Sequence, residues 1–96
     1  MVEATLLFRN KKIKDGLIIE LVVWELDAPV KGCSHRFKYR LFCGSQETGA
    51  CLVRYDNEQG KGDHRHVAQR EEPYRFSSLE GLLSDFERDV REALQP

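Results

Sequence analysis

Residues 35–43 read His-Arg-Phe-Lys-Tyr-Arg-Leu-Phe-Cys, with Phe37, Tyr39, Leu41 and Cys43 falling on one side and Arg36, Lys38 and Arg40 on the other. Successive side chains of a strand point to opposite faces, so this spacing predicts a strand with one face on a core and one in water. Half-buried strands of that kind belong to antiparallel sheets packed on one side. Upstream, 17–26 (LIIELVVWEL) is apolar on both alternating faces except at Glu20 and Glu25, as a central strand would be. A further strand is expected at 3–9 (EATLLFR), and the polar stretch after it ends in the turn dipeptide Asp15-Gly16, which predicts a hairpin. Pro29 and Gly32 mark a loop. Downstream, 50–55 (ACLVRY) alternates again, 56–63 is a polar loop with two glycines, and 64–69 (HRHVAQ) returns as a fifth strand.

The last element is a helix over 78–94. Leu79, Leu82, Leu83, Phe86, Val90 and Leu94 form one helical stripe, and Ser77 with Glu80 fits a capping box. The expected fold class is α+β, a single domain over 1–96: an antiparallel sheet of about five strands in a meander, with one C-terminal amphipathic helix packed on one face. One helix does not cover five strands, so part of the sheet is left as a surface for a partner or ligand. Trp24 is assigned to the core, and His35, Arg36, Lys38 and Arg40 to the solvated surface.

The chain has 96 residues, 41% hydrophobic and 32% charged, which excludes collagen-like and acidic disordered classes. Its apolar runs are too short and too interrupted to span a membrane, and the N-terminal stretch does not read as a secretory signal, so a cytoplasmic location is expected. Cys33, Cys43 and Cys51 are an odd number without C-x-x-C spacing and are expected to be reduced. Net charge is −1, but residues 1–70 hold 12 Lys and Arg against 9 Asp and Glu, and 71–96 hold 3 against 7. The basic surplus before residue 71 leaves room for a basic face.

The segment Asp56 to His66 carries seven ionisable side chains. On a strand, His64 and His66 share a face about 6.5–7 Å apart and Arg65 faces away. Two imidazoles near neutral pKa can divide one proton, one acting as base and one as acid, and that suits RNA cleavage: deprotonation of the 2′-hydroxyl, protonation of the 5′-oxygen, and a cation for the phosphorane. Lys61 is close in sequence, and Gly60 and Gly62 let backbone N–H groups approach a phosphate. The plainer reading is an exposed strand and its hairpin loop, with Asp56-Asn57 making an Asx-turn. A metal site of His64, His66 and Asp56 or Asp63 ranks third, because it lacks a fourth ligand.

Tyr55-Asp56-Asn57, then Gly60-Lys61-Gly62-Asp63-His64-Arg65-His66, then Pro73-Tyr74, Phe76 and the Leu82-Leu83, Asp85-Phe86 helix, together resemble the TumE family of small toxins from type II toxin–antitoxin systems. The resemblance in motif order spans about 53–90. It implies a cytoplasmic, growth-inhibiting protein neutralised by direct binding of a cognate helix-turn-helix antitoxin, with ribonuclease activity as the inferred mechanism. The family's motif falls on Asp56, Asn57, Gly60, Lys61, Gly62, Asp63, His64, Arg65 and His66. The resulting expectation is an RNA-cleaving toxin that uses no metal or cofactor. His64 and His66 are acid and base, Asp56 or Asp63 orients an imidazole, and Lys61 or Arg65, with Asn57, Gly60 and Gly62, holds phosphate. Arg65 needs a bulge or a place at the strand end to join the histidines, and otherwise is structural, pairing with an acid on the opposite face. The alternative is a non-catalytic module whose basic sheet binds an antitoxin, a second copy of the chain as a homodimer, or a nucleic acid.

Overall fold

The computed structural model describes residues 3–58 and 60–95. Asp15 and Gly16 both adopt left-handed backbone, φ 53° and 79°, the geometry by which a two-residue turn matches the twist of its strands. They join β1 (Ala4–Lys14) to β2 (Leu17–Leu26), and pairing runs up to the turn, Lys14 opposite Leu17. The first strand therefore ends at Lys14 and not at residue 9. Its second half is exposed and lysine-rich, which is how sheet edges resist unwanted pairing, and that composition is what reads as a loop. A bulge interrupts it: Leu6 pairs with Trp24 and Phe8 with Val23, so Leu7 has no opposite number.

β3 (Phe37–Ser45), β4 (Cys51–Asp56), β5 (His64–Val67) and β6 (Arg70–Pro73) follow, all antiparallel, in one open meander β1-β2-β3-β4-β5-β6. The α+β class stands, with six strands in place of five. The expected strand 64–69 is in fact the first arm of a tight hairpin that reverses at Ala68-Gln69, putting Val67 opposite Arg70 and His64 opposite Pro73. Ala68 holds φ 54°, a left-handed conformation usually given to glycine or asparagine, so the turn carries no sequence signature.

α1 (Leu79–Leu94) begins one residue later than the expected Ser77 cap: the N-cap is Ser78, whose Oγ accepts the Gly81 amide at 3.0 Å. A Cβ at residue 81 would lie 3.1 and 3.2 Å from the Ser77 and Ser78 hydroxyl oxygens. The glycine that weakens the helix interior thus leaves space for its cap. Leu82, Phe86 and Val90 of α1 pack with Val23, Tyr39, Leu41, Cys43, Val53 and Tyr55 to form the core. Trp24 is not part of it. Its neighbours Leu21 and Val23 face the helix side, while Trp24, Val22 and Glu20 alternate onto the other, open face, where Arg9 lies 6.0 Å from the indole centroid. Among the described residues no helix is long and apolar enough to cross a membrane.

Candidate functional site

Strand alternation divides the His64-Arg65-His66 triplet between the two faces. On β4, Asp56 is opposite His64 and Arg54 opposite His66; on β3, Arg40 is opposite Asp56 and Phe42 opposite Arg54; on β2, Val22 is opposite Arg40 and Trp24 opposite Lys38. Residues directly opposite share a face. The open face thus runs from the two histidines across Arg54 and Asp56 to Arg40, Lys38 and Trp24. Arg54 Nε is 3.3 Å from Asp56 Oδ2, and the Arg40 guanidinium lies 4.9 Å from the Phe42 centroid.

His64 Nε2–H donates to the Lys61 carbonyl at 2.6 Å, which in the neutral ring leaves the lone pair on Nδ1. The Nδ1 atoms of His64 and His66 are both buried without a hydrogen-bond partner, and the nearest carboxylate oxygen to His64 Nδ1, from Glu71, is 3.9 Å away. Lys61 is exposed, its amine 3.2 Å from Glu58. In the same loop the Gly60 amide donates to the Lys31 carbonyl at 2.8 Å, and a Cβ on Gly32 would come within 3.1 Å of Gly60 and Gly62 backbone atoms. The glycines let two loops pack backbone against backbone.

Asp63 and Arg65 stand apart from the histidines of β5. Asp63 accepts from the Tyr39 hydroxyl at 2.6 Å and from His35 Nε2–H at 2.8 and 3.0 Å to its two oxygens. The proton sits on Nε2 because Nδ1 accepts the Phe37 amide at 3.1 Å. His35 also stacks on Phe76, with centroids 3.8 Å apart and planes at 24°. It is not the solvated surface residue expected from sequence: its side chain is only 10% exposed. Asn57 is buried beside it, accepting the Tyr39 amide at 2.9 Å and donating to the Phe37 carbonyl at 2.6 Å. It continues the β3–β4 pairing past the end of β4. Burial, with Asp63 beside it, pushes the Cys33 thiol up, which keeps it protonated and unreactive.

Cys33, His35 and Asp63 are the group of three metal-ligating side chains whose donor atoms converge among the described residues, within 4.8 Å of one another. The donor set does not suit a metal as arranged: for His35 Nε2 to ligate, its proton would have to move to Nδ1, which already accepts the Phe37 amide. The histidines of β5 are not part of such a group.

Arg65 faces the helix. Its guanidinium binds Glu72 and lies 3.4 Å from Asp89 Oδ2, and the same Asp89 oxygen accepts the Tyr55 hydroxyl. Burial raises the hydroxyl pKa of Tyr39 and Tyr55 alike, and the adjoining carboxylates raise it further, so both remain donors.

The architecture is that of a small α+β protein: an open antiparallel meander with one helix on one face and a basic, histidine-bearing opposite face. The family model described as Toxin TumE matches residues 3–94, and the chain belongs to that toxin family. No curated protein and no solved structure compared with the chain matches it.

Proposed function

We propose that this chain is the toxin of a toxin–antitoxin pair and that it inhibits growth in the cytoplasm by cleaving RNA on the open face of its sheet. Family membership supports the toxin role. The observation that carries the chemistry is the placement of His64 and His66 on one face, with both Nδ1 atoms unshared, beside Arg54 and Arg40. One imidazole takes the 2′-hydroxyl proton, the 2′-oxygen attacks phosphorus, and the other imidazole protonates the departing 5′-oxygen, leaving a 2′,3′-cyclic phosphate and a 5′-hydroxyl. In this reading Arg54, opposite His66 and paired with Asp56, would neutralise the phosphorane, and the Lys61 carbonyl rather than Asp56 would orient the His64 ring. Arg65, turned to Asp89, would position β5 and not touch phosphate. The resemblance of the motif string to its family implies a helix-turn-helix antitoxin as the neutralising partner.

The test is incubation of purified total RNA in EDTA with wild-type protein and with folded His64→Ala/His66→Ala. Wild type should cut and leave cyclic phosphate ends, and the double variant should not. Equal cutting by both, or none by wild type with or without added divalent ion, overturns the reading. The burial of both Nδ1 atoms favours a second reading, a non-catalytic binding face. That reading expects the double variant to keep its effect on growth.

A further inference from the structure

Trp24 is half-buried and lines a cleft of about 300 Å³ on the open face, with Lys38, Arg40, Arg54 and Asp56 around it. That volume is at the small-ligand end of binding clefts. Arg9 reaches over from β1 to within cation–π distance of the indole, 6.0 Å from its centroid. Lys38 and Arg40 are exposed; of the two carboxylates lining the cleft, Asp56 is held by Arg54 at 3.3 Å and Glu58 lies 3.2 Å from the Lys61 amine, so Arg9, Lys38 and Arg40 face solvent around an aromatic ring. A large aromatic ring on a solvent-facing sheet, flanked by Arg9, Lys38 and Arg40, does not serve the core. Such a combination recognises single-stranded nucleic acid, whose unpaired bases stack on the ring while the cations track the phosphates. A duplex keeps its bases inside its own stack and cannot use the indole.

We propose that the Trp24 cleft is a nucleobase-stacking subsite for single-stranded RNA, with Arg9, Lys38 and Arg40 holding the phosphates on either side of the stacked base. From β2 to β5 is three strand spacings, about 14 Å, so the subsite anchors the strand at a distance from His64 and His66 and sets which stretch reaches them. That RNA is the ligand rests on the function proposed above; the subsite itself does not depend on cleavage.

The chain has a single tryptophan, so its intrinsic emission reports on residue 24 alone. Wild-type protein is titrated with a short, end-labelled 2′-O-methyl oligoadenylate, which has no 2′-hydroxyl to attack phosphorus and is not cut by this route. Tryptophan quenching should saturate together with the anisotropy of the label. Trp24→Leu should weaken binding roughly tenfold, as expected for the loss of one stacked base, and Trp24→Phe should retain most of the affinity. Unchanged emission at saturation, equal affinity of Trp24→Leu, equal quenching by a duplex of the same length, or no binding at all overturns the subsite. Quenching by a protein that cuts no natural RNA sinks the acid–base chemistry and leaves the subsite; cutting without quenching does the reverse.

Discussion

Tyr39 and Tyr55 lie on adjacent strands, point to the same side of the sheet, and each donates its hydroxyl to an aspartate far away in sequence, yet the two aspartates are held differently. Asp89 comes from α1 and is met by the permanently charged Arg65. Asp63 comes from the loop before β5 and is met by His35, a ring whose second nitrogen already takes the Phe37 amide. The first arrangement is a charged cross-link that ties β4, the β5–β6 hairpin and the helix together. The second has the outline of a catalytic His–Asp pair but no lone pair left for a substrate. An imidazole beside a carboxylate becomes chemically available only through what its other nitrogen touches. His35 is closed by that criterion, whereas Nδ1 of His64 is buried but has no hydrogen-bond partner.

The largest effect should come from breaking the charged side. Asp89→Ala leaves Tyr55 without its acceptor and Arg65 without a buried counter-charge, and should cost about 3 kcal/mol, read from urea denaturation; a loss under about 1 kcal/mol would mean that Glu72 alone satisfies Arg65. Asp63→Ala should cost less, about 2 kcal/mol, because it strands two neutral donors and no fixed cation. Should Asp63→Ala prove the costlier of the two, the contrast drawn between the pairs is mistaken. The smallest effect concerns pH. Arg65 holds the Glu72 carboxyl below its usual range, so this pair's contribution is present above the unfolded pKa of about 4.3 and is lost as pH falls through the lower folded value. The gap in urea midpoint between wild type and Glu72→Gln should shrink between about pH 5 and pH 3; a gap that widens on acidification would assign the wrong sign to the pair.

What could be read from sequence followed from local periodicity. The alternation at 37–43, the Asp15-Gly16 turn and the Leu82-Phe86-Val90 stripe each depend on neighbouring residues and hold in the fold. The sixth strand did not show, because Ala68 is held left-handed by the pairing around it and not by its own preference. The sequence pattern puts Trp24 in the core because an apolar run on both faces does not say which parity is covered. Its shared parity with Glu20 was the available signal. The division of Asp63 from the histidines lay beyond any local pattern: His35 and Asp63 meet across 28 positions, and only the packing of the two glycine-containing loops brings them together.

The bulge in β1 has a consequence for chain length. Leu6 and Phe8 already oppose successive residues of β2, Trp24 and Val23, so residue 7 is surplus to the ladder. A chain one residue shorter at that point would keep every pairing from Ala4 with Leu26 to Lys14 with Leu17. Arg9 would stay on the face it shares with Trp24. Position 7 is thus where this sheet can lose a residue without changing which side chains its two faces display.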